Sequence, residues 1–103
     1  MLVEFSITPI GRGESLSEDI AAVLDLVDRS GLRYQLTAMG TLVEGDWDEL
    51  MGLIKRCHQL VLERAPRVVT WIHIDDRKGA TDQIRHKVEA VERRLGRKLR
   101  TQT

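Results

Sequence analysis

Polar and apolar residues alternate in two stretches of the chain. In residues 2–9, Val3, Phe5 and Ile7 share one face, and the residues between them are polar. Residues 67–75 repeat this period of two, with a row from Val68 to Ile74 on one face and a row from Val69 to Asp75 on the other. Such alternation is typical of a half-buried strand. Both stretches are therefore predicted to be strands.

Apolar residues recur every three or four positions in three other segments, which predicts amphipathic helices. The first helix is expected to begin near Ser15, which has capping-box spacing to Glu18, and to stop at Gly31. The second is expected to be capped by Asp46 with Glu49, and the third to run over residues 81–95. The expected apolar positions are Leu16, Ile20, Val23, Leu24 and Val27, then Trp47, Leu50, Met51, Ile54, Cys57 and Val61, then Ile84, Val88, Val91 and Leu95.

The segment 34-YQLTAMGTLVEGDWDE-49 predicts a hairpin with strands near 33–38 and 40–45. The resulting order of elements is β-α-β-β-α-β followed by a C-terminal helix. That order is typical of an α+β ferredoxin-like sandwich, here a single domain over residues 1–103. Two helices are expected to cover one face of a four-stranded antiparallel sheet and to leave the other face open, as a ligand site or a subunit interface. The open face is expected to carry Glu4, Ser6, Trp71, His73 and Asp75.

Composition narrows the function classes. A formal net charge of zero, with 42% hydrophobic and 31% charged residues, fits a globular protein with no overall attraction to nucleic acid or anionic membranes. No apolar run reaches the length of a membrane span, so a cytoplasmic protein is expected. Cys57 is alone and falls on a helix stripe, which favours a buried thiol. His58, His73 and His86 lack ligand spacing, so no metal is expected.

Four segments resemble the small single-domain thiamine-binding proteins, namely PIGRGESLS, SGLRYQL, MGTLVEG and RVVTWIHIDDR. The resemblance extends from about residue 3 to residue 91. Ala38 stands where members often have proline, and His73 where lysine is common. The resemblance implies a homodimer or homotetramer that binds thiamine, hydroxymethylpyrimidine or a thiamine phosphate. It implies no catalysis and no cofactor.

Candidate ligand-binding residues follow from the chemistry of an aminopyrimidine and of a thiazolium cation. The ring edge needs hydroxyl and carboxylate partners, and the cation favours carboxylates and aromatic faces. We therefore expect Thr41 and Glu44 to hydrogen-bond the aminopyrimidine edge. The complete set of candidates is Ser6, Thr37, Met39, Thr41, Glu44, Trp71 and His73.

Each candidate also has a structural interpretation. The threonines suit a strand, Glu44 suits a following helix N-terminus, and Trp71 suits a subunit interface. At the level of function, the alternative is an ACT-like regulatory or assembly module that binds another metabolite. An enzyme is disfavoured, since no catalytic arrangement can be recognised.

Two further signals have simple interpretations. The loop 11-GRGES-15 lacks a complete phosphate-binding motif and is interpreted as a βα turn, although Arg12 and the loop amides could contact a thiamine phosphate. Residues 77–100 hold nine Lys/Arg and three Asp/Glu, whereas the rest of the chain holds seven and thirteen. The segment lacks aromatic residues that could stack on bases. It is therefore interpreted as a solvated face or as a partner for an acidic patch on a neighbouring subunit.

Overall fold

The predicted order of elements is confirmed. The computed structural model describes residues 1–11, 13 and 16–103. It contains β1 (Leu2–Ile10), α1 (Ser17–Arg29), β2 (Arg33–Leu36), β3 (Thr41–Glu44), α2 (Trp47–Leu62), β4 (Arg67–Asp75) and α3 (Gln83–Leu95).

The four strands form one antiparallel sheet in the order β2-β3-β1-β4, which is the ferredoxin-like arrangement. Strand β1 pairs with β4 along its whole length, but its pairing with β3 ends where Phe5 lies opposite Thr41. The helices α1 and α2 pack on each other, and α2 packs on β1 and β4. Because β3 ends before β1 does, the part of β1 after Phe5 has a neighbouring strand on one side only within the described residues.

The core lies between the sheet and these two helices, and it includes Val3, Phe5, Val23, Val27, Val43 and five residues of α2. Leu50, Ile54, Cys57 and Val61 are buried as predicted. Leu53 is fully buried and was missed, although it lies three residues after Leu50 on the same face of α2.

Trp47, expected on the buried stripe of α2, is 54% exposed, so that prediction is wrong. A helical side chain covers the turn before its own Cα. Trp47 begins its helix and has no preceding turn to cover.

The ends of the elements follow local hydrogen bonding. The Asp46 carboxylate accepts a bond from the Glu49 amide (2.9 Å) and Glu49 accepts one from the Asp46 amide (3.4 Å), which confirms the predicted capping box. Helix α1 begins at Ser17, and the cap expected at Ser15 lies outside the described residues. The hairpin strands are shorter than predicted, because residues 37–40 form the turn, closed by a 2.9 Å bond from the Thr37 amide to the Gly40 carbonyl.

The sheet face opposite α1 and α2 was expected to stay open, and it is in part covered by α3. Glu44 and Asp75 both lie opposite Leu2 on that face. Glu44 accepts bonds from the first amides of α3, and Asp75 forms an ion pair with Lys87 of α3. Beyond these polar contacts α3 has no buried residue, and Val88, Val91 and Leu95 of its apolar stripe are exposed. Among the described helices, none is both long and apolar enough to cross a membrane.

Candidate functional site

A cavity of about 200 Å³ lies on the helix-covered side of the sheet, where the hairpin turn faces β1 and α1. Its walls come from residues 5–8 of β1, from residues 36–41 of the hairpin, and from Ile20, Val23 and Leu24 of α1. A β-carbon at Gly40 would approach the Phe5 carbonyl oxygen to 3.1 Å, so glycine lets the turn lie close to β1.

The cavity brings together four of the seven predicted site residues: Ser6, Thr37, Met39 and Thr41. Glu44, Trp71 and His73 lie elsewhere. The cavity is therefore not on the open face, where the sequence led us to expect the ligand.

Thr41 is the polar side chain with the clearest place in this cavity. It is 4% exposed and lies opposite Phe5, so its side chain faces the helices. No hydrogen bond joins the Thr41 hydroxyl to any residue within the described part of the chain. Asp82 Oδ1, and not the Thr41 hydroxyl, is the buried side-chain atom without a hydrogen-bond partner in the described part of the chain. The Thr41 hydroxyl therefore keeps some accessible surface, and it is free to bond a molecule in the cavity.

Thr37, in contrast, is committed to the turn. Its hydroxyl donates to the Gly40 carbonyl at 2.8 Å and accepts from the amides of Met39 and Gly40 at 3.2 and 3.1 Å. These bonds use its one donor and both acceptor positions. The geometry gives Thr37 the role of shaping the turn.

Ser6 and Met39 border the cavity differently. Ser6 pairs with Trp71, and strand alternation directs its side chain away from Phe5 and Ile7, so its main chain is the part that borders the cavity. Met39 is 87% exposed at the tip of the turn. Its flexible thioether borders the cavity.

Glu44 lies on the opposite face of β3 from Thr41, since it follows Thr41 by three positions in an alternating strand. Its carboxylate accepts bonds of 2.7 Å from the amides of Gln83 and Ile84. One ring edge therefore cannot reach both side chains, and Glu44 serves as a cap for α3. A direct role for Glu44 toward a ligand stays a prediction.

Trp71 and His73 project from the open face, where they lie opposite Ser6 and Glu4. Trp71 is 73% exposed. His73 borders a second hollow, of about 370 Å³, together with Glu4, Asp75 and Lys87. The Lys87 ammonium bonded to Asp75 lowers the pKa of that carboxyl below its ordinary value. This arrangement suits an interface at least as well as a ligand.

Cys57 and His58 make contacts that stabilise the fold. Burial raises the pKa of the Cys57 thiol to about 11, which keeps it neutral and unreactive near neutral pH. Its Sγ lies 3.9 Å from the Val23 carbonyl oxygen, to which it donates. His58 is bonded to the Thr70 hydroxyl at 2.6 Å. Within residues 1–11, 13 and 16–103, there is no group of three His, Cys, Asp or Glu residues that could hold a metal ion.

Sequence reasoning missed the apolar walls of the cavity. Ile20 is 43% exposed although it belongs to the apolar stripe of α1, and it lines the cavity. The odd spacing between Thr41 and Glu44 was the readable signal that they face apart. The Arg12 contact expected for a phosphate lies outside the described residues.

Comparison with known sequences finds relatives that match the chain over most of their own length. A family model described as thiamine-binding protein matches residues 3–92. A UPF0045 protein of Mycobacterium bovis is 45% identical over 96 residues, covering 92% of this chain and 94% of the relative. A UPF0045 protein of Methanocaldococcus jannaschii is 35% identical over 91 residues, covering 88% and 91%.

Solved structures agree with this relationship. A hypothetical protein from Methanocaldococcus jannaschii superposes with a TM-score of 0.81 at 36% identity, over 87% of this chain and 93% of that one. A candidate thiamine biosynthesis/salvage protein from Thermotoga maritima superposes with a TM-score of 0.75 at 25% identity, over 87% and 96%. Since the family model spans nearly the whole fold and full-length relatives exceed 30% identity, the chain belongs to the thiamine-binding protein family.

Proposed function

We propose that the protein binds thiamine, or a related hydroxymethylpyrimidine or thiamine phosphate, without transforming it, and that the pyrimidine ring enters the cavity beside Thr41. The observation that carries the proposal is the Thr41 hydroxyl, which belongs to a residue that is 4% exposed, has no partner among the described residues and borders a cavity with mostly apolar walls. A ligand with a polar ring edge would satisfy it. The family relationship supports the same class of ligand.

The size of the cavity favours one ring over the whole vitamin. Pockets for drug-sized ligands hold about 300–1,000 Å³, whereas this cavity holds about 200 Å³. A single substituted pyrimidine fits that volume. The rest of thiamine would extend past the exposed Met39 toward solvent.

The walls have the composition that such a ring requires. Phe5, Val23 and Leu24 supply apolar surface for its faces. Within the described walls, the side chains carry no charge, so the proposal places the thiazolium cation outside the cavity. The proposal also moves the ring from the open sheet face to the helix-covered side.

A homodimer or homotetramer is part of the proposal. The Cα radius of gyration is 15.2 Å, compared with about 13 Å for a compact chain of this length. The larger radius of gyration is consistent with a helix α3 that packs only loosely on the sheet. The apolar stripe of α3 remains exposed, and so does Trp71. The basic segment 77–100 and the acidic remainder of the chain favour contact between copies. Light scattering should give at least twice 11.8 kDa, and a monomer at micromolar concentration would contradict this part.

The test compares two threonines in titration calorimetry and thermal melting with thiamine, its monophosphate and hydroxymethylpyrimidine. Thr41→Val removes the cavity hydroxyl and should weaken binding by about 0.5–1.5 kcal/mol, or roughly 2- to 12-fold. It should leave the melting temperature unchanged or higher, because a hydroxyl without a protein partner is lost.

Thr70→Val is the matched control. Thr70 lies on β4, away from the cavity, and the substitution removes the hydroxyl that is bonded to His58 of α2. It should lower stability by about 0.5–1.5 kcal/mol and leave affinity unchanged. The proposal fails if wild type binds none of the three compounds. Equal affinity of wild type and Thr41→Val would remove Thr41 from the site.

A further inference from the structure

Strand β1 has a free edge beyond the end of its pairing with β3. The main-chain N–H and C=O groups on this edge are polar groups in the wall of the cavity. The Met1 ammonium group donates to the Gly45 carbonyl at 2.9 Å, and the Gly45 amide donates to the Met1 carbonyl at 3.2 Å. These two residues form a hydrogen-bonded pair, and in an antiparallel ladder such pairs recur at every second residue. The main chains of Val3 and Phe5 therefore bond to β3, and those of Glu4 and Ser6 point toward β4.

By the same alternation, the N–H and C=O of Ile7 point in the same direction as those of Val3 and Phe5. Strand β3 does not extend as far as Ile7, so these two groups have no described strand beside them. The pairing of β1 with β3 ends at Phe5, because the hairpin turns away at Gly40. No other described strand takes the place of β3 beside Ile7.

Pro9 is consistent with this assignment. Pro9 lies two residues after Ile7, so its nitrogen points to the same side of β1. A proline within a sheet is tolerated where its nitrogen points to a free edge. Strand β1 continues through Pro9 and stays paired with β4 on its other side.

Ile7 lies between Ser6 and Thr8 in the cavity wall, and the hairpin turn forms the facing wall. We infer that the main-chain N–H and C=O of Ile7 read the ring edge of the ligand, with the N–H donating to a ring nitrogen and the C=O accepting from the adjacent amino group. This inference rests on the proposed function. It assigns specificity for the donor–acceptor pattern of a 4-aminopyrimidine to the backbone.

The chemical match is specific. An extended residue presents one donor and one acceptor side by side on the same edge. A 4-aminopyrimidine presents the complementary pair, an acceptor nitrogen beside a donor amino group. In the 4-oxo analogue the ring nitrogen carries a proton and the oxygen is an acceptor, so both contacts become repulsive. Unpaired or opposed buried groups discriminate strongly between ligands.

The first experiment needs no variant. Residue-resolved amide hydrogen exchange is measured by NMR with and without saturating 4-amino-5-hydroxymethyl-2-methylpyrimidine. In the free protein, the Ile7 amide should exchange faster than the Phe5 amide, and ligand should slow it at least tenfold. Unchanged exchange at Ile7 in the presence of bound ligand would overturn the inference and leave the proposed function standing.

The second experiment tests specificity by calorimetry. Wild type should bind the 4-amino compound at least tenfold more tightly than its 4-oxo counterpart, and this ratio should persist in Thr41→Val. Ile7→Pro removes the edge N–H without breaking a bond to β4 and should reduce affinity for the 4-amino compound at least tenfold. Equal binding of the two compounds by wild type would overturn the inference even if Ile7→Pro did not fold. If wild type binds neither compound, the proposed function fails and the inference fails with it.

Discussion

Replacing Glu44 with alanine should release helix α3 from the sheet and leave the rest of the fold intact. The Glu44 carboxylate receives two 2.7 Å bonds from the amides of Gln83 and Ile84, at the end of α3 where the helix dipole is positive. N-terminal caps contribute about 0.5–2 kcal/mol. Bonds to a charged group lie at the upper end, so we expect a loss of about 1–2 kcal/mol.

That loss is large compared with what else holds α3. The helix has no buried residue, and its other attachments include the ion pairs of Asp75 with Lys87 and of Arg33 with Asp82. Lys87 and Asp75 are each about half exposed, and Arg33 is 58% exposed, so solvent screens both attractions and weakens their hold on α3. A loss of 1–2 kcal/mol changes the ratio of docked to undocked helix by about 5- to 30-fold. Glu44→Gln retains the acceptor oxygen and should produce roughly half of the free-energy effect.

Hydrogen exchange across residues 83–95 measures the release directly, with Glu4→Ala as the control. Glu4 is an exposed carboxylate on the same face of the sheet. Exchange should accelerate in α3 of Glu44→Ala, while the amides of β1 and α2 remain protected. Thiamine affinity should not change. Equal exchange of α3 in the two variants would refute the capping argument, and a loss of affinity in Glu44→Gln would return Glu44 to the ligand site.

Two further predictions concern the core. Leu53→Ala should cost about 2–5 kcal/mol of unfolding free energy in denaturant titrations, because Leu53 is fully buried. Leu62→Ala on the same helix, at a residue 47% exposed, should cost about 0.5 kcal/mol or less, and equal costs would show that the register of α2 is wrong. The pKa of Cys57 is raised from its ordinary value of 9.0 to about 11, so the unfolded thiol ionises first. Stability should therefore fall by up to about 1.4 kcal/mol per pH unit between about pH 9 and 11. Cys57→Ala should lack this component, and identical slopes in wild type and variant would contradict it.

The elements of this fold were predictable because local periodicity and capping specify them. The alternation of Val3, Phe5 and Ile7 placed β1 and its buried face correctly. Asp46 and Glu49 marked the start of α2 to the residue. In each case, the information lies within a few positions along the chain.

The site was harder to predict because it depends on contacts between distant residues. From the sequence we predicted that Thr41 and Glu44 bind the same ring edge, but strand alternation places their side chains on opposite faces of the sheet. Glu44 is bonded to a helix that begins about 40 positions later in the chain. The free edge at Ile7 depends on where the hairpin turns relative to β1. A single sequence does not specify that register, because the pairing of β1 with β3 is decided by the packed sheet.

The central position of β1 has a consequence for the time course of folding. Strand β1 pairs along its whole length with β4, whose residues 67–75 are synthesised last among the strands. Pairings between residues so far apart slow folding, because a long loop must close before they form. At about 5–20 residues per second, a ribosome needs roughly 4–15 s to extend the chain from β1 to the end of β4. During that interval both edges of β1 can be exposed, and one of them ends in the Pro9 that blocks mispairing with another nascent chain.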